Sequence, residues 1–169
     1  DAIDWPKGIE CLCLNEGHCS GETWGLACHP GKDLFATAGD DMTIMLWETN
    51  SRSCVRKRVV DGKVRSLAYS DLGAWNGGRP HLAVGMNAGK VIILDGELEN
   101  DAVLAELKQP TQWIQEMKYS FEGSRLCVGC HDDHIYVYDV QNAYSLAGKI
   151  ELKNYVTHID FGLVLKDDE

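Results

Sequence analysis

The sequence predicts an all-β chain of four-stranded β-propeller blades, on three observations. Four short segments look alike, they recur at a near-constant spacing, and each of the first three is followed by the same strand–turn–strand unit. The similar segments are WGLACHP (24–30), VRSLAYS (64–70), IQEMKYS (114–120) and VTHIDFG (156–162), each alternating apolar with small or polar residues. That period of two is the pattern of a strand. Aligning Leu26, Leu67, Met117 and Ile159 gives spacings of 41, 50 and 42 residues, and a repeat of 40–45 residues suits one four-stranded blade.

The first flanking element is GIECLCL (8–14), read as the outer strand of a preceding blade. Blade one spans 15–60, with LFATAGDDMTIMLWE (34–48) as its middle hairpin and CVRKRVV (54–60) as its outer strand. Blade two spans 61–107, with HLAVGMNAGKVIILD (81–95) and AVLAEL (102–107) in the same places. Blade three spans 108–152, with RLCVGCHDDHIYVYD (125–139) and LAGKIEL (146–152). Asp, Asn or Gly occupies each hairpin turn, where a positive φ is needed. Residues 153–169 start a further blade. The long middle spacing comes from an insert at 72–80, LGAWNGGRP, whose Gly and Pro mark a surface loop. Trp75 makes that loop a candidate contact site.

About three complete blades and their flanking strands leave sheet faces and edges unpaired. The expected setting is therefore a larger propeller, completed by further blades of this or another chain.

Composition narrows the function. Twenty-six acidic against 16 basic side chains give a net charge of −10, which opposes association with nucleic acid or anionic lipid. No apolar run approaches the roughly 20 residues of a membrane helix. The opening Asp1 to Lys7 contains charge and Trp-Pro, not a secretory h-region, so the cytosol is the expected compartment. Arg52, Arg56, Lys57 and Arg58 form the nearest thing to a basic patch: a solvated outer strand, or a surface contact through Arg56, Lys57 and Arg58. The seven cysteines are an odd number, and Cys13, Cys28, Cys127 and Cys130 sit in apolar runs. They read as buried thiols in a reducing compartment.

Blade one carries the most specific polar pattern. Gly17-His18 precedes its inner strand, Thr37 and Asp41 flank the hairpin turn, and Trp47-Glu48 ends the third strand. This resembles the structural tetrad of WD repeats, and the resemblance implies that His18 pairs with Asp41, Thr37 relays and the Trp47 indole donates last. Buried polar groups have to be paired, and such a closed network is expected to pin the outer strand to the blade. A hydrolase triad built from the same residue types would be sealed inside the blade. Blade three keeps Asp132 in its turn but has Val128 in place of Thr37 and no Gly-His, and blade two has Ala88 in place of Asp41. Asp132→Ala is therefore expected to cost less than Asp41→Ala.

Cys127, Cys130, His131 and His134 imitate a haem or zinc motif. They align with the metal-free hairpin of blade one, and Cys127 and Cys130 point to opposite faces of a strand, so neither cofactor nor metal is expected. His29, His81 and His158 read as structural, and no phosphate loop, metalloprotease helix or nucleophile elbow is present.

Two phrases go beyond a generic WD repeat: Trp-Gly-Leu-x-x-His-Pro (Trp24 to Pro30) and Ala-Val-Gly-x-x-x-Gly (Ala83 to Gly89). They resemble the echinoderm microtubule-associated protein-like family across roughly residues 17 to 161. The resemblance implies joined propellers, no catalytic activity, tubulin or microtubules as partners, and a cytoplasmic, cytoskeletal or ciliary and flagellar location. The alternative is a WD-repeat adaptor that binds peptides or proteins without tubulin contact. The acidic chain is repelled at long range by an acidic microtubule surface, so contact would fall to another part of the protein or to a local patch.

With end blades exposing apolar faces, the 169-residue chain alone is expected to self-associate. Light scattering checks this, and a stable, cooperative monomer is the contrary outcome.

Overall fold

The structure is a computed structural model describing residues 17–72 and 77–162. The expected strand at 8–14, Trp75 and the stretch after 162 lie outside the described residues. Among the described residues there are twelve strands and no helix. They form three antiparallel sheets, each a simple meander. Sheet one holds β1 (Thr23–Cys28), β2 (Leu34–Gly39), β3 (Thr43–Glu48) and β4 (Ser53–Val59). Sheet two holds β5 (Val64–Tyr69), β6 (His81–Met86), β7 (Val91–Asp95) and β8 (Val103–Leu107). Sheet three holds β9 (Ile114–Tyr119), β10 (Arg125–Cys130), β11 (His134–Asp139) and β12 (Ser145–Glu151). The insert expected at 72–80 falls in the connection between β5 and β6.

Burial explains the sequence of each strand. Sheet two lies between the other two, so β6 and β7 are buried on both faces and read as continuous apolar runs. The outer strands β4 and β12 are largely exposed and carry the charge. One apolar cluster joins sheets one and two through Ala36, Ala38, Ile44 and Leu46 against Val64, Leu67, Leu82 and Val84. A second joins sheets two and three through Ala83, Val91 and Ile93 against Ile114, Met117, Leu126 and Tyr138. Burying each such large apolar side chain contributes about 1.5–3 kcal/mol.

Two departures repeat in every sheet. The first strand carries a bulge one residue after its start, at Trp24, Arg65 and Gln115. The fourth strand carries another opposite the end of the third, at Val55, Leu104 and Ala147. A bulge adds an unpaired residue and increases the local twist. The left-handed position of each middle hairpin falls at Met42 (φ 57°), Gly89 (φ 82°) and Asp133 (φ 64°). Blade one thus places a methionine where the turn pattern expects Asp, Asn or Gly. The turn is held instead by the neighbouring Asp41, whose Oδ1 accepts from the Thr43 N–H at 3.1 Å.

Three expectations are corrected. Residues 156–162 form no strand, because no described strand runs alongside to pair with them. Ile159 N–H instead donates to Glu116 at 2.9 Å. Of the thiols expected to be buried, Cys130 is buried, Cys127 is half-buried and Cys28 is exposed. Cys28 shares a face of β1 with Leu26, itself 65% exposed, and that face points away from sheet two.

The sheets approach one another closely at glycines. A methyl built on Gly25 would lie 2.7 Å from Leu67 Cγ, and one on Gly85 2.6 Å from Ile114 Cγ2. Gly85→Ala is expected to lower unfolding free energy by about 1–3 kcal/mol through overpacking. Gly148→Ala, where nothing lies within 4 Å of the added methyl, is expected to stay within about 0.5 kcal/mol. Denaturant melts of the two variants in the full-length protein make the comparison.

Candidate functional site

The polar residues singled out in blade one meet in one place. His18 Nδ1 lies 2.9 Å from both Asp41 oxygens, and His18 Nε2 lies 2.9 Å from Thr37 Oγ1. Trp47 Nε1 donates to the same hydroxyl at 2.7 Å. The contacts run in one chain, from indole to hydroxyl, hydroxyl to imidazole and imidazole to carboxylate. The His18 and Asp41 side chains are 10% and 2% exposed. Burial alone would raise the Asp41 pKa. The bonds from His18 and from the Cys19 and Thr43 N–H groups outweigh it and hold the carboxyl below its ordinary value. The group thus forms a brace across β2, β3 and the segment before β1.

Blade three rebuilds a network from different residues. Asp132 Oδ2 accepts from the Thr111 N–H at 2.8 Å, the Thr111 hydroxyl at 3.0 Å and the Tyr136 hydroxyl at 2.9 Å. Counting back from the start of the first strand, Gln109 occupies the place of His18, and its Oε1 accepts from the Tyr138 hydroxyl at 3.1 Å. Tyr136 and Tyr138 stand where blade one has Met45 and Trp47. Burial raises the Asp132 pKa and its hydrogen bonds lower it further than that, leaving it depressed. Asp132 is therefore more than an ordinary turn residue. The sequence signal was Tyr-x-Tyr four residues after the Asp, which is invisible to a search for His, Thr and Trp. In blade two the buried Val84 and the exposed Ala88 stand at these positions.

The outer-strand cations expected as surface contacts are not equivalent. Arg56 Nη1 donates to the Glu97 carbonyl at 2.7 Å, and Arg58 Nη2 to the Asp101 carbonyl at 2.9 Å. Both guanidinium groups reach across to the β7–β8 connection of sheet two. Lys32 reaches the Glu97 carboxylate there at 2.6 Å. Lys57 pairs with Met45 on the opposite face and is exposed.

In the cysteine–histidine cluster each donor is engaged elsewhere or apart. Cys130 Sγ donates to the Gln112 carbonyl at 3.2 Å, and His134 Nδ1 lies 2.6 Å from the Asp132 carbonyl. His131 packs between Trp113 and Tyr155 at centroid distances of 4.4 and 4.5 Å. Among the described residues no group of three or more His, Cys, Asp or Glu is arranged to hold a metal ion. Unforeseen in sequence is a buried clamp between sheets two and three. His81 Nδ1 bonds the Tyr144 hydroxyl at 2.8 Å, which in turn bonds the Tyr119 hydroxyl at 2.9 Å.

Meandering four-stranded sheets stacked face to face, with a His–Thr–Asp–Trp network in the first, define blades of a WD-type β-propeller. Residues 23–164 match the family described as the echinoderm microtubule-associated protein second beta-propeller. The chain belongs to that family. It is 36% identical to the ciliary WD repeat-containing protein ctxp80 of Euplotoides octocarinatus, over 88% of this chain and 23% of the relative. It is 32% identical to echinoderm microtubule-associated protein-like 2 of Homo sapiens, over 88% of this chain and 22% of the relative. To the 77 kDa echinoderm microtubule-associated protein of Strongylocentrotus purpuratus it is 30% identical, over 91% of this chain and 22% of the relative. The chain thus spans less than a quarter of the length of these curated relatives.

Replacing Asp41 by Ala strands the part-buried His18, and replacing Asp132 strands the part-buried Tyr136 hydroxyl, at a cost of about 1–3 kcal/mol each. The expected losses for Asp41→Ala and Asp132→Ala are therefore comparable, in place of the smaller loss at Asp132 that the sequence suggested, since the two Thr111 donors are exposed and can turn to water. Paired denaturant melts in the full-length protein decide it. A loss at Asp132 under half that at Asp41 would reject the rebuilt network.

Proposed function

We propose that this chain is a non-catalytic part of a microtubule-associated scaffold, supplying β-propeller blades to a protein that binds tubulin or microtubules. The observation that carries the reading is family membership across 23–164, together with the microtubule-associated names of relatives. The sealing of His18 and Asp41 into a structural brace supports the non-catalytic role. The same relatives, one of them a ciliary protein, support a place in the cytoplasm on the cytoskeleton, extending to cilium or flagellum. Further blades, from this or another chain, would cover the exposed face of sheet one, where Leu26 and Val59 are 65% and 70% exposed.

A second reading, an adaptor that binds other proteins without touching tubulin, is favoured by one observation. A net charge of −10 opposes approach to an acidic polymer surface, and Arg56 and Arg58 are occupied by sheet two. Co-sedimentation of the full-length protein with polymerised tubulin separates the two. The scaffold reading expects the protein in the pellet at low and physiological salt. Retention in the supernatant at both would leave the adaptor.

A further inference from the structure

The three first-strand bulges bring Trp24, Arg65 and Gln115 to one level, where β1, β5 and β9 lie side by side. The Arg65 guanidinium lies there against two indoles, 4.5 Å from the Trp24 ring centroid and 5.1 Å from that of Trp113. Cation–π contact with both rings restrains the guanidinium, whose N–H edge remains for recognition. That edge is poorly used among the described residues. Nε reaches Asn87 Oδ1 at 3.4 Å, and Nη2 stands 3.8 Å from Asp40 Oδ1, too far for a hydrogen bond. Beside it opens a cleft of about 210 Å³ that Trp24, Arg65, Gln115, Glu116, Lys118 and His158 help to line.

The charges around the cleft are specific. Asp40 is met by Lys63 at 3.4 Å. Glu116 is met by His158 Nδ1 at 3.1 Å, the Ile159 N–H at 2.9 Å and Lys118 at 3.9 Å. Arg65, Lys63 and Lys118 therefore stand against two carboxylates, leaving one positive charge, and among the described residues much of the hydrogen-bonding capacity of Arg65 is unspent. A guanidinium fork of this kind matches a carboxylate held by two parallel hydrogen bonds. A single excess charge suits a carboxylate better than a dianionic phosphate, which Asp40 and Glu116 would repel. The half-exposed Trp24, 49% accessible, supplies an apolar wall for the stem of the incoming side chain.

From this we infer that the cleft at the first-strand bulges is a binding site for a carboxylate side chain of a partner peptide, gripped by Arg65 beside Trp24 and Trp113. This reading does not depend on microtubule association: it specifies a chemistry of recognition that holds for either class of partner.

The test uses the full-length protein and short fluorescein-labelled peptides in which Glu alternates with Gly, read by fluorescence anisotropy. Exchanging Glu for Gln in the peptide is expected to weaken binding about tenfold or more, as for loss of a charge-assisted hydrogen-bonded pair. Arg65→Gln should produce a similar loss. Arg65→Lys should lose part of it, since an ammonium lacks the planar fork, and Arg52→Gln on the distant β3–β4 turn should lose nothing. Trp24→Ala truncates a half-exposed ring, and about threefold weaker binding is expected. This second variant decides the matter if Arg65→Gln fails to fold. Equal binding of the Glu and Gln peptides overturns the proposal, as does unchanged binding by folded Arg65→Gln or Trp24→Ala. Tighter binding of a phosphoserine counterpart overturns the assignment to a carboxylate.

Discussion

Each sheet in this chain has two faces, and the residues that make its strands stable in pairs also make both faces apolar. That is the constraint from which the rest follows. Sheet two can exist as it does, with β6 and β7 buried almost throughout, because a sheet lies against each of its faces. The fit requires close approach, and Gly25 beneath Leu67 and Gly85 beneath Ile114 supply it, one on each face of sheet two. The second contact joins the start of one unit to the second strand of the unit before. A repeat of this kind is stable through its seams more than through its separate members.

Polar interactions then hold the seams in register. The His81–Tyr144–Tyr119 clamp is buried between sheets two and three. Arg56 and Arg58 fasten the outer edge of sheet one to sheet two. Within the blades, the networks at Asp41 and Asp132 tie the middle hairpin to the segment that precedes the first strand. Blade two has no carboxylate at that position. It is enclosed on both faces, and hydrophobic burial does there what hydrogen bonding does in its neighbours.

The repeat was readable in the sequence because a strand's period of two and the spacing of Leu26, Leu67 and Met117 are local properties of the chain. All twelve described strands fall within or beside the segments so identified. What escaped depended on pairing or on substitution by a chemical equivalent. Residues 156–162 have the alternation of a strand but no described neighbour to pair with. Cys28 has an apolar context but lies on an uncovered face. Asp132 looked isolated because its partners, Thr111 and Tyr136, share no residue type with His18. Arg65 could not be seen as special at all: its meaning depends on Trp24 and Trp113, distant in sequence, both arriving against one guanidinium.

The manner in which Arg56 and Arg58 hold the first seam has one more implication. Their hydrogen-bond acceptors are main-chain carbonyls of Glu97, Asn100 and Asp101. A carbonyl is present whatever side chain its residue bears. The grip thus registers the path of that connection and is indifferent to most of its lettering. Drift in the side chains of Glu99, Asn100 and Asp101 can remodel this outer rim while the two sheets stay fastened, so long as the backbone keeps its course and Leu98 stays in the apolar seam.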